Sequence, residues 1–171
     1  IRGEYQEDFS EALLVGSYVD EHLTGTPDSM KKFIMENYDK LYKKNGEPYA
    51  FVIKADEAIE CIKKQPVMLK YLTGKHQKIM TGEIAGVPFK IKMDCYKEGE
   101  FISDLKYMAS LRSPNMFEPM IKYWGYDIQA AVYQEIVYQN TGKRLPFLFV
   151  IATKEKLCHL AVGEISQFNM D

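Results

Sequence analysis

The spacing of apolar residues changes its period twice along this chain, dividing it into three zones. From Asp8 to about Lys75 the apolar positions recur at helical spacing. Phe9, Leu13, Leu14 and Val19 mark one amphipathic helix, which stops near Gly25-Thr26-Pro27. Phe33, Ile34, Tyr38, Leu41 and Tyr42 predict one or two short helices between Ser29 and Lys44. Ala58, Ile59 and Ile62 predict another from Ala55 to Lys64, and Pro66 opens a short one that Gly74 closes. The period then shortens to two. Strands are predicted at His76–Glu83, Val87–Tyr96 and Glu100–Met108, joined by turns at Ala85-Gly86 and Lys97-Glu98-Gly99. Phe89-Lys90-Ile91-Lys92-Met93 alternates strictly, which suits a half-covered strand in an antiparallel meander. The third zone opens with an irregular link from Ser110 to Lys122, marked by Pro114 and Pro119. A helix follows from Tyr126 to Thr141, ended by Gly142. Pro146 to Ala152 is a continuous apolar run, as expected of a strand buried on both faces, and His159–Ile165 is a last strand.

The expected fold class is α/β, a mixed central sheet flanked by helices. At 171 residues the chain has the length of one domain, residues 1–75 mainly helical and 76–171 carrying the sheet. No run of about 18 apolar residues offers a membrane span. Ile1 to Glu7 lacks a basic-then-apolar leader, and the three cysteines form no CxxC pair. These features predict a cytoplasmic protein without disulfides or a zinc ribbon, possessing no membrane partner. The absence of an initiator Met suggests a fragment or a processed product.

The net charge of −2 argues against a strongly basic surface overall. Its distribution changes that picture. Residues 1–30 hold one basic and seven acidic side chains, whereas residues 31–106 hold fifteen basic and eleven acidic. The lysines in the middle form either a local basic face or a solvated helical surface.

Candidate chemistry concentrates in the meander. Asp104 and Lys106 are two apart on a predicted strand and share a face with Ile102. Asp94 lies near the end of the preceding strand, which a short turn brings alongside. Two carboxylates can hold a hard divalent cation such as Mg²⁺, and a lysine beside them can orient water or stabilise charge on a phosphate. Glu83, eleven residues before Asp94, is either a further metal ligand or an exposed hairpin charge. Gln129 and Tyr133 are i, i+4 on the long helix and share a face. No glycine-rich nucleotide loop is present, and no Ser/His/Asp arrangement is suggested. His76 and His159 are expected at the surface or with satisfied ring nitrogens, and Cys95 in the interior. Tyr107, Tyr123, Trp124 and Tyr126 are expected mostly in the core rather than along a nucleic-acid groove.

Asp94 with Asp104-Leu105-Lys106 resembles the motif of the PD-(D/E)XK nuclease superfamily, and Gln129 with Tyr133 resembles the Q-x-x-x-Y element of its RecB-type and RecE-type branches. Ala12 to Asp20 resembles the first helix of RecE-like, or YqaJ-like, viral recombination exonucleases. Asp20 stands where that family often has histidine, with Glu21 and His22 as competing candidates. The similarity runs from about Ala12 to Phe149 and is thin from Thr26 to Thr73. It implies a restriction-endonuclease-like core and a Mg²⁺-dependent (or Mn²⁺-dependent) exodeoxyribonuclease. Asp94 and Asp104 would be metal ligands, with Asp20 and Glu83 secondary. Lys106 would position the attacking water, and Gln129 and Tyr133 would support the lysine and the phosphate. It further implies DNA recombination in a phage-type setting, processive digestion of double-stranded ends, a ring-like homo-oligomer and a single-strand annealing protein as partner. Endonuclease or single-strand activity on the same fold, or non-catalytic DNA binding, are the alternatives.

Overall fold

The computed structural model describes residues 10–111 and 117–165. Residues 8 and 9, where the first helical pattern begins, and Pro114 lie outside the described residues. Helix α1 (Glu11–Thr24) starts at Ser10, whose hydroxyl accepts the Leu13 N–H, and stops at Gly25. Helix α2 (Pro27–Glu36) opens with a reciprocal Thr26–Ser29 capping box, Pro27 occupying the first turn where its missing N–H is harmless. A single turn, α3 (Tyr38–Leu41), leads to α4 (Ala50–Lys63) and the short α5 (Pro66–Tyr71). Helix α4 begins five residues before the predicted Ala55, because Val52 is buried with α1 and that packing overrides the β-branched character of Val52 and Ile53.

One five-stranded sheet follows, in the order β1 (Lys75–Ile84), β2 (Val87–Lys97), β3 (Phe101–Met108), β4 (Phe147–Thr153), β5 (Leu160–Ile165). All neighbours are antiparallel except β3 and β4, which are parallel. The β1–β2 hairpin turns on Ala85 and Gly86, both at positive φ, as a two-residue hairpin loop demands. Between β3 and β4 the chain crosses over through α6 (Phe117–Trp124) and α7 (Tyr126–Thr141). Helix α6 corrects the expected irregular link. Pro119 falls in its first turn, where no intrahelical N–H is needed, so proline does not break it. Gly125, at φ +67, separates α6 from α7 in a conformation that L side chains rarely adopt.

Strand β4 is buried throughout. Val150 and Ala152 join the cluster under α1, α4 and α5, while Phe147, Phe149 and Ile151 join the cluster under α6 and α7. Helices therefore cover both faces of the central strands, the mixed α/β layering expected from the pattern. Tyr126 packs within that second cluster, but Tyr123 and Trp124 do not enter the core: they are 79% and 62% exposed. Cys95 is buried, and His76 donates to the Leu72 carbonyl, as expected. No described helix is long and apolar enough to cross a membrane.

Candidate active site

Asp104 and Lys106 project from β3 toward α7. The Asp104 side chain is buried and its Oδ2 lies 2.7 Å from the Lys106 ammonium. Gln129, on the first turns of α7, closes the arrangement. Its amide donates to Asp104 Oδ1 at 2.7 Å, and its Oε1 accepts from Lys106 at 3.1 Å. The two bonds fix which way the amide points, because a carboxylate only accepts and an ammonium only donates. The ammonium also lies over the Tyr126 ring, 4.5 Å from its centroid, and 5.7 Å from that of Phe149. Burial works against the charged lysine, but the Asp104 carboxylate beside it prevails and holds Lys106 above the ordinary lysine range.

Asp94 enters from β2. The β2–β3 ladder pairs Lys97 with Phe101, Tyr96 with Ile102 and Cys95 with Ser103, and ends there. Immediately beyond it, the Leu105 N–H donates to Asp94 Oδ2 at 2.9 Å, so a side chain replaces the missing backbone acceptor. Met93 and Tyr96, three residues apart, both pack in the cluster under α7, so the strict alternation of β2 fails once around Asp94. Burial, reinforced by the charges of Asp104 and Asp20, pushes the Asp94 carboxyl up to about 8, against the opposing pull of the Leu105 N–H and Lys106.

Asp20 reaches the same region from α1. The Thr24 hydroxyl and the Gln77 amide donate to its carboxylate, the latter at 3.1 Å. Gln77 faces Asp94 across the β1–β2 ladder at the one skipped position and has φ +51, a strained value for a residue with a Cβ. The neighbouring candidates are engaged elsewhere. Glu21 accepts from Ser29 at 2.6 Å at the start of α2, and His22 donates to the Tyr18 carbonyl at 2.9 Å.

Glu83 is not brought to this cluster. It pairs with Pro88 at the hairpin tip, six ladder positions beyond Gln77, or about 20 Å at 3.3 Å per residue. It is exposed, and its backbone bonds the Gln139 side chain. Tyr133 donates its hydroxyl to the Lys92 carbonyl at 3.1 Å and lies parallel to Phe147, so it ties α7 to β2 rather than reaching the lysine. Two contributors carried no sign in the sequence, and a third, Tyr126, was expected in the core rather than beside the site. Gln77 and Thr24 gave no signal, because neither a positive φ nor a contact between distant elements is encoded in local spacing. Tyr126 sits three residues before Gln129, and that spacing on α7 is the signal that places its ring beside Lys106.

Across residues 1–171 the chain matches the model of a family described as a PDDEXK-like domain of unknown function (DUF3799). The chain belongs to this family. Among solved structures, this PDDEXK-like domain is similar to a "putative exonuclease" from Eubacterium rectale, at 41% identity and a TM-score of 0.89. The match covers 97% of this chain and 63% of that one, so the chain spans less than two thirds of its relative's length. No curated protein sequence matches. The fold is the restriction-endonuclease-like core of PD-(D/E)XK nucleases, and PD-(D/E)XK nucleases use divalent metals.

The residues present fit such a cation. Asp94 and Asp104 present carboxylate oxygens, the donors a hard divalent cation takes, and the buried Asp104 Oδ2 has the Lys106 ammonium 2.7 Å away. Burial, with the charges of Asp104 and Asp20 beside it, raises the Asp94 carboxyl to about 8, and a divalent cation there would offset both effects. Among the described residues no three His, Cys, Asp or Glu side chains form a ready-made cage. Mg²⁺ is commonly held by one or two carboxylates and several waters.

Proposed function

We propose that this PDDEXK-like domain hydrolyses phosphodiester bonds of double-stranded DNA from its ends, using Mg²⁺ or Mn²⁺ held by Asp94 and Asp104. The observation that carries the reading is the Asp104–Lys106–Gln129 triangle beside Asp94: a buried carboxylate, an ammonium and an amide locked in one geometry where two strands part. A divalent cation in this place supplies a polarised phosphate and a more acidic water. Asp94 and Asp104 would hold it, and Asp20, whose charge bears on Asp94, would act through an intervening water. Lys106 keeps its proton, so it serves as a fixed positive charge that orients the incoming water and faces the charge growing on the phosphate. Gln129 positions Lys106, Tyr126 shields it from bulk water, and Tyr133 holds α7 against β2. The likeness to the Eubacterium rectale protein supports the exonuclease form of this reading. The family resemblance adds a homo-oligomer acting in phage-type recombination with a single-strand annealing protein.

Linear and covalently closed duplexes, incubated with and without Mg²⁺ beside the Lys106→Ala variant, test the proposal. Metal-dependent loss of the linear form alone, reduced on the order of 10²–10³-fold in the variant, is expected. Cutting of closed circles would replace the exonuclease reading by an endonuclease one. No cutting with either metal would refute both.

A further inference from the structure

The lysines of this chain are not equivalent. Three in the helical part are tied to nearby glutamates: Lys32 to Glu36, Lys43 to Glu47 and Lys63 to Glu60. Lys90 and Lys92 on β2 are exposed and form no ion pair among the described residues. Their placement follows from the pleat. Met80, Ile84, Phe89, Ile91 and Met93 pack in the cluster under α7. Gly82 lies on the same face, where a Cβ would meet Gln139 at 2.4 Å and Ile136 at 2.7 Å. Helix α7 therefore seals one face of the β1–β2 ribbon, and alternation sends Lys90 and Lys92 to the other.

That second face is open. Lys92 is in register with Ile79 and Lys90 with Thr81, and all four are exposed. The row runs directly into the acid cluster, since Lys92 precedes Asp94 by two residues and its charge acts on Asp20. Two residues of strand span about 6.6 Å. Successive phosphates along one DNA strand, whose axial rise of about 3.4 Å is lengthened by helical winding, are spaced comparably.

We propose that the open face of the β1–β2 ribbon is the track for the strand being cut, with Lys92 on the phosphate next to the scissile one and Lys90 on the phosphate after it. The proposal rests on the nuclease reading above and adds to it a substrate requirement. Two charged linkages on one side of the cut are needed for full binding, independent of base sequence. Both contacts are electrostatic and follow β2 away from Asp94, so they set how far the strand is gripped beyond the site.

Duplex binding measured in EDTA, where no metal supports cleavage, tests the track across a range of salt concentrations. The Lys90→Ala/Lys92→Ala double variant should bind more weakly whatever the sequence. Its plot of log affinity against log salt should be shallower by about 1.8, at about 0.9 per lost phosphate contact. Lys90→Arg/Lys92→Arg should keep the wild-type slope, and Lys63→Ala, remote and already paired, should match wild type. In cleavage assays, single neutral methylphosphonate linkages at the next and second-next positions on one side should slow the wild type without slowing the double variant further. An unchanged salt slope in a folded double variant that still binds duplex would overturn the track alone. A wild type that shows the slope difference but cuts no DNA with Mg²⁺ or Mn²⁺ would overturn the nuclease reading while the track stands. A wild type that binds no duplex would overturn the track outright.

Discussion

Strands β4 and β2 both run beside β3, yet they meet different surroundings. Every residue of β4 is buried, its apolar side chains shared among clusters on the two faces of the sheet. In β2 Ile91 and Met93, facing α7, are buried, whereas Lys90 and Lys92 on the other face are in solvent. Strand β3 lies between them and takes something from each. Its Ile102 and Leu105 anchor it in the two cores, and its Asp104 and Lys106 meet Asp94 where the ladder to β2 ends. Rigidity is supplied from the β4 side and access from the β2 side. The charged groups sit at the border, held by a side-chain amide and a backbone N–H in place of ladder bonds.

The comparison is broken most forcefully in the core. Phe149→Ala removes a fully buried ring that packs against Tyr126 and should lower stability by about 3–5 kcal/mol in denaturant unfolding. Lys90→Ala on the open ribbon should stay within about 0.5 kcal/mol. Equal losses at the two positions would mean that the ribbon is not the separate, exposed surface described above.

A second way to sharpen the contrast uses pH. Folded Asp94 keeps its proton up to about 8, while the unfolded carboxyl loses it near 3.8. Between those values the folded state binds more protons than the unfolded one, so the stability of the metal-free protein should fall as pH rises through that window. The thermal midpoint of Asp94→Asn should decline less steeply over the same range, and identical slopes would contradict the raised proton affinity that burial and the neighbouring acids give Asp94.

Gln129→Ala should have a smaller effect on stability, about 1–3 kcal/mol, because it leaves Asp104 Oδ1 buried without its donor. Cleavage should fall with it, as Lys106 loses the acceptor that positions it. Unfolding and single-turnover cleavage of the one variant measure both.

The parts of this arrangement that were legible in the sequence are those written in local period. Phe89 to Met93 announced a strand with one wet face, and Pro146 to Ala152 announced one with none. The i, i+4 spacing of Gln129 and Tyr133 placed both on one helical face, and the two-residue spacing of Asp104 and Lys106 placed both on one strand face. Glu83 shows where such reasoning stops. It is near Asp94 in the count of residues, but the hairpin folds at Ala85 and Gly86 and sets Glu83 opposite Pro88, leaving it remote from Asp94. Helix α6 was hidden because proline signals a break except in a first turn. Gln77 was hidden because its backbone conformation is imposed by the strands around it. Asp20 could not be separated from Glu21 and His22 until Ser29 and the Tyr18 carbonyl were seen to engage the other two.

The account rests on Asp94 and Asp104 forming one cation site, and calorimetric titration of the purified chain with Mn²⁺ tests that most directly. Saturable binding by the wild type and by Glu83→Gln, abolished in a folded Asp104→Asn variant, is the expected result. Undiminished binding by Asp104→Asn would contradict it.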